Sequence, residues 1–453
     1  MGQMFTIKAS EAHGRRLDPS FYSPQYRELD EALANCRYEC YEIRDLRIEV
    51  FQGVSRNLLE NDGIRLLKVK NILPDGSIDF ADTEPISDVP TNKILKDGDI
   101  ISPFIGAAIK GYKFGYFEDR GGERWSFDNN TGVFRNNDER VLSRYLWSFF
   151  QLEITHRQLD RIIGGGGVPY LGTEYAKRLR VILPPLPEQR KIVAELDAAY
   201  AAKRAADEKA TKLLASIDDM VLKELGIARL LKPDTSLSSR IFTVPAKEVL
   251  NGRLDPIAYQ SMRRQFYKNV REGTYETVRL GEIVDVDRCQ TDSLDGLTYV
   301  GLENINGSDG TYSPTGEKES ISTAVLFRKG EILFPKLRPY LNKVWLADFD
   351  GAASTEFFPL IPKGVTPEYL IAYLRLTQVA KVMTLLMTGN TLPRVQLEDV
   401  LSLPVSIPPR PVQDRIASTA ASIRAEARKL KADATAALDA VKRGIEMEIV
   451  RER

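Results

Sequence analysis

The strongest constraint on the fold of this chain is an internal repeat that runs through most of its 453 residues. Short segments of the first half return in the same order in the second half, first 237, then 232 and finally 224 residues later. Self-similarity of this kind indicates a duplicated structural unit. The shrinking spacing places insertions in the first copy, as expected for loops that differ on a shared scaffold. The matched pairs are Arg16-Leu17-Asp18-Pro19 with Arg253-Leu254-Asp255-Pro256, Lys96-Asp97-Gly98-Asp99-Ile100 with Arg328-Lys329-Gly330-Glu331-Ile332, and Pro184-Pro185-Leu186-Pro187 with Pro408-Pro409-Arg410-Pro411.

Each copy is predicted to begin with a mixed globular part, near residues 5–183 and 242–407, and to end in a long charged helix. Short β-branched runs that are broken by Gly, Pro, Asn and Asp indicate strands in the globular parts. The predicted strands include 97–101, 299–305 and 331–334, and the predicted helical patches are 143–152 and 367–376.

The clearest periodicity lies in the two helices that follow the proline clusters. Apolar and small residues recur there at alternating steps of four and three, the heptad pattern of packed helices. Each helix would be roughly 50–60 Å long at 1.5 Å per residue. We expect the two stripes to pack on each other as an antiparallel coiled coil with pseudo-twofold symmetry; the alternative is that each helix packs only on its own domain. The stripe positions are Ile192, Leu196, Ala199, Lys203, Ala206, Ala210, Leu213 and Ile217, and again Ile416, Ala420, Ile423, Ala427, Leu430, Ala434, Ala437 and Val441.

Composition excludes several classes of protein but leaves the partner open. No apolar run of about 18 residues exists to span a membrane, and the first residues lack the pattern of a secretory signal. Three cysteines, Cys36, Cys40 and Cys289, fit a reducing cytoplasm. Lys plus Arg and Asp plus Glu both number 63, so the net charge is zero. Such a chain binds nucleic acid only if its charges are segregated on the surface.

Segments that superficially resemble catalytic or nucleotide-binding motifs lack the residues that those motifs require. The run Gly164-Gly165-Gly166-Gly167 is followed by Val168-Pro169, not by the Lys-Ser/Thr of a phosphate-binding loop. Asp18-Pro19-Ser20-Phe21-Tyr22 lacks the second proline of an amino-methyltransferase motif. Only two histidines occur, His13 and His156, so neither a zinc site nor histidine-based catalysis is predicted. We therefore expect no bound metal or cofactor.

Candidate DNA-binding residues cluster in a segment of the second copy, Phe334 to Lys343, in which polar and apolar side chains alternate. Lysines there suit phosphates, while Arg338 and Asn342 have the bidentate geometry that reads guanine or adenine edges. A second cluster flanks Leu392-Pro393. The candidates in this copy are Lys336, Arg338, Tyr340, Asn342, Lys343, Asn390 and Arg394.

The corresponding regions of the first copy are also basic and rich in amides. The glycine run before Tyr170 suits a loop that lies close to a ligand backbone, and a plain surface loop is the alternative. The candidates are Lys110, Lys113, Arg120, Arg124, Asn129, Asn130, Gly165 and Tyr170.

Three segments resemble the specificity subunits of type I restriction–modification enzymes. They are Leu-Pro-Pro-Leu-Pro-Glu-Gln-Arg at 183–190, Gly-Glu-Ile-Leu-Phe-Pro-Lys-Leu-Arg-Pro at 330–339 and Gly-Asn-Thr-Leu-Pro-Arg at 389–394. Their order, repeated twice over nearly the whole chain, carries the resemblance. Two departures stand out. The second copy has Val412-Gln413-Asp414-Arg415 in place of Glu-Gln-Arg, and the first has Phe104-Ile105-Gly106-Ala107 in place of Lys-Leu-Arg-Pro.

The resemblance implies an α+β chain with two β-rich α/β target-recognition domains in tandem, each followed by a long helix. Each domain would read one half of a split site in double-stranded DNA, and the helices would fix the unread gap. It further implies no catalysis by this chain, two flanking modification subunits that carry the S-adenosylmethionine chemistry, and a restriction or translocase subunit that can join them. The predicted segments are 1–186 for the first domain, 187–226 for its helix, 227–241 for a linker, 242–409 for the second domain and 410–453 for its helix.

Three alternatives remain open at the level of sequence. The chain could be an assembly scaffold that binds only protein, which its neutral charge favours. It could be a specificity subunit of another defence system. A self-contained nuclease or methyltransferase is disfavoured by the missing motifs.

Overall fold

The structure is a computed structural model that describes residues 19–55, 63–86, 89–163, 167–231, 241–246, 249, 256–287, 289–294, 296–315, 322–389 and 391–451. Contacts divide the chain into two units. The first unit comprises Met1–Ala206 and Ala432–Arg453, and the second comprises Asp207–Lys431. The α+β class is confirmed, because both units combine sheets with helices.

Among the described residues, three sheets form the strand framework of the first unit. An antiparallel sheet has the order β2-β8-β5-β6, a second sheet has the order β4-β3-β7, and β1 pairs with β9. Strand β5 begins at Ile100, so the strand predicted at 97–101 is confirmed at its second half. The strands are β1 (Glu39–Glu42), β2 (Ile48–Gln52), β3 (Ile64–Leu67), β4 (Glu84–Ile86), β5 (Ile100–Pro103), β6 (Gly115–Tyr116), β7 (Arg124–Phe127), β8 (Thr131–Asn136) and β9 (Arg180–Leu183).

The second unit repeats this framework. Its antiparallel sheet has the order β11-β18-β15-β16, and β10 pairs with β19. A further sheet has the order β12-β14-β17-β13, in which β13 and β17 run parallel as β3 and β7 do. The strands are β10 (Thr277–Arg279), β11 (Val284–Val286), β12 (Gln290–Thr291), β13 (Thr298–Val300), β14 (Ala324–Phe327), β15 (Ile332–Pro335), β16 (Trp345–Leu346), β17 (Gly351–Ser354), β18 (Phe357–Pro362) and β19 (Pro404–Ser406).

Both predicted helical patches, 143–152 and 367–376, are confirmed, and each observed helix ends two residues before the predicted end. Strand prediction was less accurate at 299–305, because β13 stops at Val300 and Leu302–Asn304 forms a 3₁₀ turn. The Asn304 side chain accepts a hydrogen bond from the Gly301 backbone, which favours this turn over a longer strand. The helices are α1 (Pro24–Asn35), α2 (Ser143–Phe150), α3 (Glu153–Ile162), α4 (Thr173–Ala176), α5 (Leu186–Leu225), α6 (Ser261–Arg271), α7 (Leu280–Ile283), α8 (Pro367–Leu374), α9 (Thr377–Leu385), α10 (Leu397–Leu401) and α11 (Arg410–Val450).

The two long helices, α5 and α11, have 40 and 41 residues. Gly226 ends α5 because its φ of 64° continues the chain in a left-handed conformation. The Ile227 and Gly226 backbone N–H groups donate to the carbonyls of Leu222 and Lys223, which completes the helix cap. Among the residues that the structure describes, no helix is long and apolar enough to cross a membrane.

A buried glutamine near the beginning of each long helix forms hydrogen bonds with the backbone of the domain that precedes the helix. Gln189 Oε1 accepts a hydrogen bond from the Leu142 backbone N–H (2.9 Å), at the beginning of α2. Gln413 Oε1 accepts one from the Thr366 N–H (3.0 Å), at the beginning of α8. Gln413 Nε2 also donates to the Pro408 carbonyl (2.9 Å). The repeated Pro-Pro-x-Pro-x-Gln segment thus joins domain and helix in both units.

Replacing Gln413 by leucine should destabilise the second unit by about 2–5 kcal/mol, because two buried backbone groups lose their partners. Differential scanning calorimetry of the purified chain would measure the loss. Glu426→Leu, which places the same side chain at an exposed position of α11, should change the stability by less than about 0.5 kcal/mol. Equal effects of the two substitutions would contradict the role of Gln413.

The far end of each long helix completes a core made mostly by the other copy. Leu438, Ile445 and Ile449 of α11 are buried in the main core of the first unit. Ile217, Val221 and Leu225 of α5 are buried in the main core of the second unit. The idea that each helix packs only on its own domain is therefore wrong.

Carboxylates at these far ends also cap helices of the globular parts. Glu446 Oε2 accepts a hydrogen bond from the Ile154 N–H (3.1 Å) at the first turn of α3. Asp218 Oδ2 accepts one from the Thr377 N–H (3.0 Å) at the first turn of α9. A carboxylate stabilises a helix at this end, where N–H groups are unpaired and the dipole is positive. The same carboxylate cap therefore anchors α11 in the first unit and α5 in the second.

Ile445→Ala should destabilise the first unit by about 2–5 kcal/mol, as expected for a truncated core side chain. Hydrogen exchange detected by mass spectrometry should show the loss of protection in α3, almost 300 residues earlier in sequence. Met447→Ala, at a position that is 69% exposed, is the control and should leave exchange unchanged. A loss of protection confined to 207–431 would contradict the assignment of this segment to the first unit.

Candidate DNA-recognition surfaces

The candidate surface of the second unit is a loop, residues 336–344, that connects β15 to β16. The predicted strand-like alternation of 334–343 is wrong beyond Pro335, because Pro339–Leu341 forms a 3₁₀ turn. Arg338 and Asn342 on either side of that turn have positive φ angles of 49° and 52°. The chain therefore turns at both positions and does not continue as a strand.

A second segment, residues 393–395, lies against this loop. Leu337 and Arg394 form an isolated β-bridge. The Val395 N–H donates to the Lys336 carbonyl (3.0 Å), and the Arg338 N–H donates to the Pro393 carbonyl (3.3 Å). The structure thus brings together the two clusters that were predicted separately from sequence. Asn390, the remaining predicted residue of this copy, lies outside the described residues.

Four of the predicted DNA-binding side chains in this surface already have partners within the chain. Lys336 Nζ donates to the Thr355 carbonyl (2.5 Å) and lies 4.5 Å from the centroid of the Phe358 ring. Burial lowers the pKa of Lys336 from its usual value. The other partners are the Glu356 carboxylate for Arg394 (2.6 Å), the Leu302 carbonyl for Lys343 Nζ (2.7 Å) and the Arg375 carbonyl for Asn342 Nδ2 (2.8 Å). These side chains build the loop, and their predicted contact with DNA stays a prediction.

Arg338, Tyr340 and Leu341 are the exposed side chains of this loop. Tyr340 is 49% exposed, and Arg338 is exposed as well. Among the described residues, no ion pair engages the Arg338 guanidinium. An arginine with positive φ is uncommon, since a residue with a Cβ is strained there, and such strain often marks functional sites.

The first unit builds the equivalent surface from the loop 104–113 between β5 and β6. Ile105 bridges Tyr170 as Leu337 bridges Arg394. The Gly106 N–H donates to the Pro169 carbonyl (2.9 Å). Gly106 has a φ of 95° at the position that Arg338 occupies in the second copy. The two loops thus share their anchoring but differ in the side chain at the bend.

The predicted residues of the first unit divide into two groups. Lys110, Tyr170 and Asn130 belong to the loop and the segments that contact it, since the Asn130 carbonyl accepts hydrogen bonds from the Phe104 and Ile105 N–H groups (2.8 and 3.2 Å). Lys113 is half-buried near the end of the loop, and Asn129 is exposed beside Asn130.

The second group lies on the segment that leads into β7. Arg120 stacks on the Phe80 ring at 4.5 Å, and Arg124 is the exposed first residue of β7. Gly165 lies outside the described residues.

An aromatic and ionic cluster fixes the end of the first loop. Tyr112, with a φ of 46°, stacks on His156 with ring centroids 4.3 Å apart, and its hydroxyl donates to Asp160 (2.5 Å). Burial and the neighbouring Asp160 raise the pKa of Tyr112. Burial lowers the pKa of His156 to about 4. Neither group is poised to exchange a proton near neutral pH, so the cluster supports the loop rather than chemistry.

The sequence did not predict a role for Arg375, which holds the loop 336–344 through hydrogen bonds. Its guanidinium donates to the carbonyls of Asn342, Val344 and Gly307, each at 2.8 Å. The equivalent position of the first copy is Gln151, so the two loops rest on different side chains. No sequence signal distinguishes a lone arginine after a helix from a surface charge. In the part of the chain that the structure describes, no cluster of three His, Cys, Asp or Glu side chains could hold a metal ion.

Comparison with known families assigns the duplicated framework. The family model described as type I restriction modification DNA specificity domain matches residues 68–212 and 272–432, once in each copy of the repeat. The chain belongs to this family. This type I specificity subunit therefore recognises DNA for a restriction–modification system, and the resemblance inferred from the repeated motifs is confirmed.

Proteins of similar sequence or structure also carry the names of type I restriction systems. The specificity subunit of the type I restriction enzyme EcoDI from Escherichia coli is 21% identical over 320 residues, which is 64% of this chain and 70% of that protein. The HsdS subunit of Thermoanaerobacter tengcongensis is 16% identical and aligns over 91% of this chain and 95% of its own, with a TM-score of 0.32. A chain from a study of complex assembly and conformational transition in a type I system is 16% identical over 92% and 95%, with a TM-score of 0.44. The family assignment rests on the two domain matches.

Proposed function

We propose that each unit reads one half of a bipartite, asymmetric site in double-stranded DNA. One observation carries the proposal: two loops with the same anchoring, 104–113 and 336–344, differ in the side chain at the bend. A shared scaffold with different exposed residues is what the reading of two different half-sites needs. Loops on a rigid framework also commonly carry recognition.

The groups proposed to contact DNA in the second unit are led by Arg338. A guanidinium has the geometry to bond guanine O6 and N7 together in the major groove. Tyr340, which is exposed two residues later, would pack on a base or sugar beside it. Lys336, Asn342, Lys343, Asn390 and Arg394 complete the proposed surface, with four of them also holding the loop. In the first unit the proposed contacts are Lys110, Lys113, Arg120, Arg124, Asn129, Asn130, Gly165 and Tyr170.

The long helices are proposed to set the unread gap as an antiparallel pair with pseudo-twofold symmetry. Contacts within each unit support this arrangement. In the first unit Lys191, near the beginning of α5, pairs with Glu448, near the end of α11 (3.0 Å). In the second unit Arg415, near the beginning of α11, pairs with Glu224, near the end of α5 (2.5 Å). The domain boundaries given from sequence, with helices at 187–226 and 410–453, belong to the same proposal.

The chain is proposed to do no chemistry and to bind no cofactor of its own. Two copies of a modification subunit, which would carry the S-adenosylmethionine, are proposed to dock on similar surfaces of the two repeats. A restriction or translocase subunit can join that complex. A cytoplasmic location fits the three cysteines, Cys36, Cys40 and Cys289, which form no disulfide among the described residues. Burial raises the pKa of Cys40 to about 12, so that thiol stays protonated.

Adenine methylation across the genome of a methylation-free host tests the proposal. The host would produce this chain together with the methyltransferase subunit of its own system. A single bipartite motif with a fixed gap, lost when this chain is omitted, is the expected result. A soluble complex that leaves the genome unmethylated would contradict it, and would favour a protein-binding scaffold or a defence system that reads DNA without marking it.

A further inference from the structure

A groove of about 540 Å³ runs along α11 in the second unit, on the side of Arg375 that is lined by the helix rather than by the loop 336–344. Small side chains of α11, Ala417 and Ala421, form one wall. Ile371 of α8 and Trp345 of β16 form the other. The middle of the groove is thus apolar and open enough to admit a large side chain.

Opposite charges lie at the two ends of this groove. Asp414 and Glu368 line one end, and both side chains are exposed. Arg424 and Arg428 line the other end, where Asp309 also lies. From residue 414 to residue 428 the helix rises about 21 Å. The groove is therefore long enough for several residues of an extended polypeptide and is electrostatically polarised along its length.

The arginine end carries positive charge that the chain balances incompletely. Arg375, which also lines the groove, directs three N–H groups to carbonyls. Burial lowers its pKa to about 9 and also lowers the pKa of Arg424. Asp309 is the carboxylate whose charge acts on both. Among the described residues, neither guanidinium has a carboxylate within ion-pair distance. A further anionic group would be stabilised here.

The first unit fills the same place with its own side chains. Trp147 stands at the position of Ile371, and Tyr200 at the position of Arg424. The two rings lie 5.3 Å apart and are almost fully buried. An ion pair of Arg144 with Asp197 (2.6 Å) occupies the positions of Glu368 and Ala421. The space that is open in the second unit therefore accommodates aromatic rings in the first.

We propose that the groove receives a segment of a partner protein that presents an aromatic side chain next to a carboxylate. The ring packs between Ala421 and Ile371, and the carboxylate lies at Arg424 and Arg428. A basic residue of the same segment fits the exposed Glu368 carboxylate at the other end, where Asp414 is already paired with Arg410 (3.0 Å). Because Trp147 and Tyr200 fill the equivalent place, the partner binds here once per chain.

Charge argues against DNA as the occupant. Four carboxylates, those of Asp309, Asp348, Glu368 and Asp414, line the groove with the three arginines. The groove therefore lacks the excess of positive charge that a phosphate backbone needs. A peptide with one acidic and one basic end matches both ends. The inference is independent of which bases the chain reads.

Site-specific cross-linking in the natural host tests the inference. A photoreactive phenylalanine analogue would replace Ser418 in the full-length chain, and cross-linked peptides would be sequenced by mass spectrometry. We expect one partner peptide that contains an aromatic residue within a few positions of Asp or Glu. The same analogue at Ala194, the equivalent exposed position of the first unit, should not capture that peptide.

A variant that introduces the two aromatic residues of the first unit into the groove provides a second test. Ile371→Trp with Arg424→Tyr should fill the groove, keep the melting temperature and lower the cross-link yield at least tenfold. If that variant fails to fold, Arg424→Gln alone should lower the yield severalfold, since it removes charge at similar length. An unchanged yield, equal capture at Ala194, a cross-link to this chain itself or no cross-link would overturn the inference. Genome methylation measured in the same cells tests the reading of DNA separately.

Discussion

Replacing Arg338 by glycine should loosen one half of the recognised DNA sequence and leave the chain at least as stable as before. A bidentate arginine–guanine contact is worth about 1–3 kcal/mol, so its loss should cost roughly 10- to 100-fold in discrimination at one base pair. Stability should hold because Arg338 has a φ of 49°, a conformation that glycine adopts freely, as Gly106 does at the equivalent position. Methylation sequencing would read the half-site, and calorimetry the stability.

Arg328→Ala is the matched control for this experiment. Arg328 is also exposed and also flanks β15, but it precedes the strand whereas Arg338 follows it. The control removes the same charge and should leave both half-sites intact. If Arg338→Gly keeps full discrimination, or weakens both half-sites equally, the loop 336–344 does not read bases through this residue.

Lengthening both long helices by four residues should widen the unread gap by one or two base pairs without changing either half-site. The insertions belong after Ala206 and after Lys431, where each helix passes from one unit to the other. Four residues add about 6 Å and roughly 40° of rotation. That rise is close to two base-pair steps of about 3.4 Å. The methylated motif of the variant gives the new gap directly.

An insertion into one helix alone is the informative control. It would shift the stripe of one helix against the other, so we expect methylation to be lost or strongly reduced. A gap that stays constant when both helices are lengthened would show that the helices do not set it. The arrangement proposed from the Lys191–Glu448 and Arg415–Glu224 pairs would then be rejected.

Much of the framework could be predicted because the repeat is visible in the sequence. The 224-residue spacing aligned α2 with α8 and α5 with α11, and each pair is present. The spacing also aligned Gln189 with Gln413, the one residue that the second copy keeps where it departs from Glu-Gln-Arg. The glutamine is kept because its amide accepts a hydrogen bond from the Thr366 N–H and donates one to the Pro408 carbonyl. No other side chain of this length can do both in the same geometry.

The binding groups were harder to predict because their roles depend on partners far away in sequence. Lys336 and Lys343 look like phosphate ligands, yet their ammonium groups donate to the carbonyls of Thr355 and Leu302. The bend at Arg338 follows from anchoring by Pro393, which no local pattern shows. The groove beside Arg424 arises from differences between the copies, such as Ile371 in place of Trp147, whose effect depends on the surrounding fold.

The division of the chain also sets the order in which it can mature during translation. The second unit, Asp207–Lys431, is continuous, so all its residues are available once Lys431 has left the ribosome. The first unit begins earlier but needs Leu438, Ile445 and Ile449 for its core. At about 5–20 residues per second, roughly 10–50 s separate the synthesis of Ala206 from that of Ile449. During that interval the core around Ile192, Leu196 and Tyr200 lacks the side chains of α11. The core of the unit that is synthesised first is therefore completed last.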